Sequence, residues 1–219
     1  MFHDRADAGE ALGREVARLS PDRPVVLGLP RGGVIVAAGV AGALGAPLGV
    51  IVVRKLGAPG NPELGVGAVA EGGVTVLNEA LIRRLGISPG ELDRIAAAEH
   101  AELHRRVAAY RTGPPVQVEG RDVVVVDDGL ATGYTARAAV EAARRRGAGR
   151  VILAVPVAAA DTAAELSAVV DRLVALETPR MMLGVGGSYR DFRQTTDEEV
   201  RAALGRSDPD RLEVEIESA

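Results

Sequence analysis

Short apolar runs recur along the chain and alternate with longer stretches of helical pattern. Five runs are rich in Val, Ile and Leu, as strands buried on both faces are: Val25–Leu29, Leu48–Val53, Val123–Val126, Val151–Val157 and Leu173–Leu176. Helices are predicted over Val34–Leu44, Tyr134–Arg146 and Asp161–Val170. This alternation is typical of parallel strands joined by crossover helices. The pattern therefore predicts an α/β fold with a doubly wound, mainly parallel sheet of about five strands.

Residues 57–115 interrupt this alternation with elements of a different kind. They open with a Gly/Pro-rich loop, Gly57–Gly67, continue through two hairpin strands around Ala68–Val76, and end in a long polar helix. At the start of that helix, Ser88 can act as the N-cap, with Pro89 at the first helical position and Glu91 completing a capping box. We interpret residues 57–115 as a helical and hairpin insertion into the α/β core.

The chain is short enough to fold as one unit, because compact domains run about 50–250 residues. We predict a single domain over residues 1–219, with a core at 1–56 and 116–176, the insertion at 57–115, and a small C-terminal segment at 177–205. The last twelve residues, DPDRLEVEIESA, form an acidic stretch that we expect to be poorly ordered.

Composition restricts the classes of function. Hydrophobic residues make up 47% and charged residues 26% of the chain, as in soluble globular proteins. There is no cysteine, which excludes disulfides and thiolate metal sites. The net charge of −4 argues against broad electrostatic binding of nucleic acid. The sequence has neither a secretory leader nor an apolar run long enough to span a membrane, so we expect a cytoplasmic protein.

Candidate chemistry follows the third predicted strand. Val123–Val126 leads into Asp127 and Asp128, and then into the small-residue loop Ala131–Thr135 at the start of a helix. Ligands of open α/β sheets bind at the carboxyl ends of the strands. Adjacent carboxylates there require hydroxyls or a cation, since like charges disfavour joint ionisation. The backbone N–H groups of the loop can converge on a phosphate. Together these features predict a sugar-phosphate site.

The whole segment, VVVVDDGLATGYT at residues 123–135, resembles the signature of type I phosphoribosyltransferases, which bind 5-phosphoribosyl-1-pyrophosphate (PRPP). One position departs, because Gly129 stands where the family has an aliphatic residue, which we expect to loosen the loop. The resemblance implies the type I phosphoribosyltransferase fold. It also implies that Asp127 and Asp128 bind ribose hydroxyls or Mg²⁺, directly or through water. The residues implied to bind the 5-phosphate are Ala131, Thr132, Gly133, Tyr134 and Thr135.

The resemblance extends to the loop after the first strand, which binds pyrophosphate in this family. Here it contains Arg31, whose guanidinium would neutralise the leaving group in catalysis, and Gly32 and Gly33, which let backbone amides approach a phosphate. Arg54 and Lys55, after the second strand, match a place where the family has cations near pyrophosphate. An equally open interpretation is that these two residues are solvated charges at a strand end.

The resemblance also assigns the C-terminal segment 177–205 to the hood, the part of the fold that covers the acceptor base. It contains Tyr189 and Phe192, either of which could stack on a planar base. The alternative is that these rings only join the hood to the core. The insertion lies where relatives carry a mobile loop, and we expect its closing residues within Gly57–Gly67.

The function implied is transfer of the 5-phosphoribosyl group from Mg-PRPP to a nitrogenous base or related nitrogen acceptor, with release of pyrophosphate, as in nucleotide salvage. Ala131 stands where hypoxanthine-guanine enzymes carry an acid, so the loop is more similar to that of adenine enzymes. The alternative is a non-catalytic PRPP-sensing regulator. A regulator of nucleic acid requires a basic face, for which the nearest candidate is Arg144–Arg146 with Arg150. Assembly into a homo-oligomer stays open.

Overall fold

The computed structural model of the protein describes residues 1–111 and 113–206, so the predicted acidic tail at 208–219 lies outside the described residues. The described part contains eight strands: β1 Val25–Gly28, β2 Leu48–Val50, β3 Val53–Ala58, β4 Asn61–Ala70, β5 Val74–Leu77, β6 Asp122–Val126, β7 Arg150–Val157 and β8 Arg172–Glu177. The helices of the same residues are α1 Arg5–Ala17, α2 Gly32–Leu44, α3 Glu79–Leu85, α4 Pro89–Tyr110, α5 Tyr134–Arg145, α6 Ala160–Ser167 and α7 Asp197–Arg206, with a 3-10 turn at Val185–Ser188.

Five strands form one parallel sheet in the order β2-β1-β6-β7-β8. This confirms the predicted α/β fold and its doubly wound sheet. At the carboxyl edge, Gly28 of β1 pairs in register with both Val50 of β2 and Val126 of β6. The loops after β1 and β6 therefore start side by side, at the edge where ligands of such sheets bind.

Both faces of the main sheet are covered, which explains the uninterrupted valine run in β6. Val123 and Val125 pack in a core that includes buried alanines of α5, such as Ala139. Val124 and Val126 face the other way and pack in a core that includes residues of α1 and α2. Successive side chains of a strand point to opposite faces, so a strand buried on both sides has no polar positions.

The second predicted strand is divided between two sheets. Leu48–Val50 belongs to the main sheet, whereas Val53 begins β3 of a separate antiparallel sheet with the order β3-β4-β5. This second sheet therefore starts before the predicted start of the insertion at residue 57. The predicted hairpin is present, since Ala70 of β4 pairs with Val74 of β5. The division of the chain into core, insertion and hood stays a prediction.

The predicted start of the long helix α4 is confirmed in detail. The Ser88 side chain accepts a hydrogen bond from the backbone N–H of Glu91, and the Glu91 carboxylate accepts one from the backbone N–H of Ser88. These reciprocal bonds satisfy two of the N–H groups that a helix start leaves without partners. The described residues include no helix with the length and apolar character needed to cross a membrane.

Helix α1 was not predicted from the sequence. The Asp4 carboxylate caps it by accepting hydrogen bonds from the N–H groups of Ala6 and Asp7, at 2.9 Å each. Leu12 and Val16, four residues apart, are fully buried in the core shared with α2. A capping aspartate followed by this spacing is the signal that could have revealed the helix. The helix matters because its first residue is Arg5.

Candidate active site

The two acids after β6 lie at the centre of the candidate site. The Asp127 carboxylate accepts a hydrogen bond from the backbone N–H of Asp128 at 2.8 Å. The Asp128 carboxylate accepts one from Arg5, whose Nε lies 2.7 Å from Oδ2. Arg5 was not among the predicted site residues, because it precedes Asp128 by 123 positions and belongs to the helix that was not predicted.

The position of the acid pair makes its ionisation costly. Burial raises the pKa of Asp127 well above its usual value, and the neighbouring charge of Asp128 raises it further. Burial also raises the pKa of Asp128, while the hydrogen bond and charge of Arg5 act in the opposite direction. Two desolvated carboxylates, of which only Asp128 is paired with a cation, can accept hydroxyl donors or a hard cation such as Mg²⁺.

The loop Ala131–Thr135, predicted to bind the 5-phosphate, leads into the N-terminus of α5. Gly133 has a φ of +72°, and a Cβ there would lie 2.8 Å from Cγ2 of Thr162 in α6. The Thr162 hydroxyl donates to the carbonyl of Ala131 at 2.6 Å, so α6 holds the loop from behind. Within the described residues, no backbone N–H from Ala131 to Thr135 donates a hydrogen bond to a protein acceptor. These free donors surround the N-terminus of α5, where an anion is stabilised.

A cavity of about 150 Å³ opens over this loop. The second sheet supplies one wall of it, through Lys55, Gly65 and Gly67, and Val185 closes it from the C-terminal side. Among the described residues, the Lys55 ammonium contacts only the exposed Glu63, through its backbone carbonyl at 3.1 Å and its carboxylate at 3.3 Å. The cavity therefore combines free N–H donors with a cation, as a phosphate requires.

Arg54 and Lys55 have different surroundings although they are neighbours. The Arg54 Nε donates to the Glu99 carboxylate of α4 at 2.7 Å, in a half-buried ion pair. Successive residues of a strand point to opposite faces, and only Lys55 of the two lines the cavity over the phosphate loop. The predicted role of both residues near pyrophosphate stays a prediction, and the structure favours Lys55.

The loop after β1 packs directly on the acid pair. A Cβ on Gly32 would collide with the Asp128 carboxylate, and one on Gly33 would lie 2.9 Å from the Cα of Asp127. Both glycines are thus needed for close packing, a requirement separate from the predicted approach to a phosphate. Arg31 precedes them, after a cis peptide bond, and its Nη1 lies 3.7 Å from the Asp197 carboxylate of α7.

The two aromatic rings of the hood pack against each other and against the N-terminus. The Tyr189 ring centroid lies 5.7 Å from that of Phe2 and 5.0 Å from that of Phe192. Tyr189 is buried, and its hydroxyl donates to the carbonyl of Asp128 at 2.6 Å. The Arg5 guanidinium lies 3.9 Å from the Phe192 ring centroid. These contacts favour the interpretation that the rings join the hood to the core, and a role in stacking on the acceptor stays a prediction.

The arginines proposed as a basic face are engaged by neighbouring groups. Arg144 is 3.6 Å from Asp171, and Arg145 is 3.3 Å from Glu141. Arg146 donates to the carbonyl of Val116 at 2.8 Å, and burial lowers its pKa. Arg150 is 3.0 Å from Asp122. Each of the four arginines therefore has a protein partner within the described residues.

Most of the chain matches one protein-family model. A family model described as "Phosphoribosyl transferase domain" matches residues 6–187. A Mycobacterium tuberculosis protein named "Putative phosphoribosyl transferase Rv0571c" is 47% identical over 214 residues. That match covers 97% of this chain and 48% of the relative, so the chain spans about half the length of the curated relatives it matches.

Solved structures show the same arrangement of the chain. The crystal structure of the TT1426 protein from Thermus thermophilus is 46% identical, covers 93% of this chain and 97% of its own, and gives a TM-score of 0.79. The AQ2163 protein from Aquifex aeolicus is 12% identical, covers 80% of this chain and 73% of its own with a TM-score of 0.50, and supports the fold alone. With the family match over residues 6–187, these findings show that the chain belongs to the phosphoribosyl transferase domain family.

Proposed function

We propose that the protein transfers the 5-phosphoribosyl group of PRPP to a nitrogen acceptor and releases pyrophosphate. The observation that carries the proposal is the position of the acid pair immediately before a loop of free N–H donors at the start of α5. A ribose 5-phosphate carries hydroxyls at one end and a dianion at the other. The acids suit the hydroxyls, and the loop with Lys55 suits the phosphate.

The chemistry at the anomeric carbon requires stabilisation of a negatively charged leaving group. In the proposed reaction a nitrogen lone pair forms the new bond to this carbon as the bond to pyrophosphate breaks. Arg31, on the loop beside the acids, would bind pyrophosphate through its guanidinium. The work of the protein is then to position the reactants and to stabilise charge.

The residues present fit a magnesium ion that is shared with the substrate. The described residues hold no group of three or more His, Cys, Asp or Glu able to bind a metal by themselves. Mg²⁺ is commonly bound by one or two carboxylates together with substrate phosphates, and Asp127 and Asp128 supply such carboxylates. When bound with PRPP, the ion would neutralise charge on the pyrophosphate.

The acceptor is proposed only as a class, a nitrogenous base or related amine. Ala131 is exposed at the first position of the phosphate loop and offers no acid to handle a ring proton. Hypoxanthine is therefore expected to be a poor substrate relative to bases that need no such acid. Turnover of hypoxanthine at the rate of the best alternative base would contradict this assignment.

The first test is calorimetric titration of PRPP into the purified protein, with and without Mg²⁺. The expected result is metal-dependent binding that is abolished in the double variant Asp127→Asn with Asp128→Asn. The matched control is Asp122→Asn, which removes a carboxylate from the opposite end of the same strand and should leave binding unchanged. Circular dichroism would establish that each variant is folded.

A second measurement separates catalysis from sensing. Release of pyrophosphate would be scored for a panel of bases with the wild-type protein and with the double variant. Metal-dependent PRPP binding without release for any base would reject transfer and favour the alternative of a PRPP-sensing regulator. Wild-type protein that fails to bind PRPP in either condition would reject the proposed function altogether.

A further inference from the structure

We propose that Arg5 is a positioning residue of the PRPP site, which orients the Asp128 carboxylate and connects it to the C-terminal hood. The proposal rests on the proposed function, since the orientation of Asp128 matters only if that carboxylate binds substrate or metal. Arg5 would act through Asp128 and would not itself contact the reacting atoms.

The contact between these residues is protected from solvent. The Arg5 Nε donates to Oδ2 of Asp128 at 2.7 Å, and the side chains are only 12% and 18% exposed. Charge-assisted hydrogen bonds in such surroundings are little screened by water, unlike the surface ion pairs of this chain. Arg5 is therefore well placed to select one orientation of the Asp128 side chain.

The space around the carboxylate strengthens this conclusion. A Cβ on Gly32 would collide with both Asp128 Oδ2 and the Arg5 guanidinium. The Arg5–Asp128 pair therefore occupies the space that a side chain at position 32 would fill. The Tyr189 hydroxyl donates to the backbone carbonyl of Asp128 at 2.6 Å. Backbone and side chain of Asp128 are thus fixed separately, by Tyr189 and by Arg5.

The same guanidinium also contacts the hood. Arg5 Nη1 donates to the backbone carbonyl of Arg193 at 2.9 Å, and its central carbon lies 3.9 Å from the Phe192 ring centroid. Only a planar fork of donors can hold a carboxylate, a carbonyl and a ring face together. Lysine would keep the charge but lose this geometry. Arg5 therefore links the carboxylate of Asp128 directly to the hood.

The experiment compares three variants at position 5. Arg5→Lys keeps a cation beside Asp128, Arg5→Met keeps an apolar stem, and Arg5→Ala opens a space for added guanidinium ion. We expect the affinity for PRPP with Mg²⁺ to fall about 10–100-fold in Arg5→Lys, as for other residues that orient a ligand group. The concentration of Mg²⁺ needed for half-maximal PRPP binding should rise as well, which a purely structural defect in a folded variant would not cause.

The matched control lies at the other end of the same helix. Arg18 forms an exposed ion pair with Glu15, and Arg18→Lys should leave both PRPP affinity and the Mg²⁺ requirement unchanged. Low concentrations of guanidinium chloride should restore binding to Arg5→Ala, whereas sodium chloride of equal ionic strength should not. The proposal would be overturned if folded Arg5→Lys and Arg5→Met both bound PRPP with the affinity and the Mg²⁺ requirement of the wild type. It would also be overturned if the loss of PRPP binding in each variant were fully explained by its fraction of unfolded protein.

A crystal structure of Arg5→Lys distinguishes failure of this proposal from failure of the proposed function. Absence of PRPP binding by the wild-type protein would reject the proposed function without deciding how Asp128 is oriented. In that case a rotated Asp128 carboxylate in the variant would still support positioning by Arg5, and an unmoved carboxylate would overturn it.

Discussion

The side chain of Val185 occupies the space beside Gly129, so that a Cβ at position 129 would lie 2.5 Å from Val185 Cγ1. We expected glycine at this point of the signature to loosen the loop. Instead, an apolar group from the hood fills the place that an aliphatic residue at 129 would take, and Val157 closes it from the strand side at 3.0 Å. The loop is therefore packed between two elements distant in sequence.

This packing predicts that Gly129→Val destabilises the protein by about 1–3 kcal/mol, the usual cost of overpacking a filled site. Adding Val185→Ala should recover part of the loss, because it removes the two methyl groups that clash. Urea denaturation of the two single variants and the double variant would measure the coupling. Gly42→Ala is the control: nothing lies within 4 Å of its Cβ position in α2, so a gain of roughly 0.5–1 kcal/mol is expected. Independent, additive effects at 129 and 185 would contradict the packing argument.

The buried acid predicts a conflict between stability and ligand binding. Burial raises the pKa of Asp127, so the folded protein binds this proton more tightly than the unfolded chain does. This tighter proton binding stabilises the folded protein, and its contribution to the free energy of unfolding is complete below the unfolded-state pKa of about 3.9. The contribution is lost as the pH rises through the folded-state pKa. In Asp127→Asn the side chain does not ionise, so this loss of stability at higher pH does not occur. Its amide oxygen can still accept the hydrogen bond from the N–H of Asp128.

We therefore expect Asp127→Asn to be more stable than wild type at neutral pH, with no gain at low pH. Thermal melts across a pH series, together with PRPP titrations, would measure both sides of the conflict. Asp122→Asn, at the other end of β6, should give no such gain. A variant that is less stable than wild type at neutral pH would contradict the assignment of Asp127 as a costly buried charge.

The role of Arg31 in PRPP binding can be tested by comparing a variant of Arg31 with a variant of Asp197, its ion-pair partner. Arg31→Gln should weaken PRPP binding about tenfold or more, since a hydrogen bond to a charged group contributes about 1.5–3 kcal/mol. Asp197→Asn removes the carboxylate 3.7 Å from the guanidinium and should preserve or tighten binding. Isothermal titration of both variants distinguishes ligand binding from a purely structural role. Equal losses of affinity in the two variants would indicate that the ion pair only supports the fold.

The cap of α1 predicts an effect on the helix that carries Arg5. Asp4→Ala should cost about 1 kcal/mol, because the side chain accepts hydrogen bonds from the N–H groups of Ala6 and Asp7. Those bonds lower the pKa of Asp4, with the bond to Asp7 the largest cause. The stabilisation is thus present above the unfolded-state pKa and is lost as the pH falls through the folded-state pKa.

Asp4→Asn is the conservative control, since asparagine also caps helices, and it should lose little stability while losing this pH dependence. Chemical denaturation of the three proteins at neutral and acidic pH would test both statements. Equal stability of Asp4→Ala and wild type at neutral pH would show that the cap contributes nothing.

Several elements followed from local pattern alone. The strand β6 could be predicted because a run of four valines fits burial on both faces, and the start of α4 because Ser88, Pro89 and Glu91 form a capping box in sequence. The candidate phosphate loop lies within the same short segment as the acid pair. The strand at Leu48–Val53 was predicted as one piece, since apolar periodicity does not show where a strand leaves one sheet for another.

The sequence by itself determined the α/β class, the succession of the core strands along the chain and the acid pair beside the candidate phosphate loop, because each depends on residues close together in the chain. Only the tertiary structure decided that Arg5 holds Asp128 and that Val185 packs on Gly129. The residues of each pair are far apart in sequence, and they meet because α1 and the hood pack at the carboxyl edge of the sheet. Such contacts depend on how whole elements bury their surfaces together, which no local pattern of residues specifies.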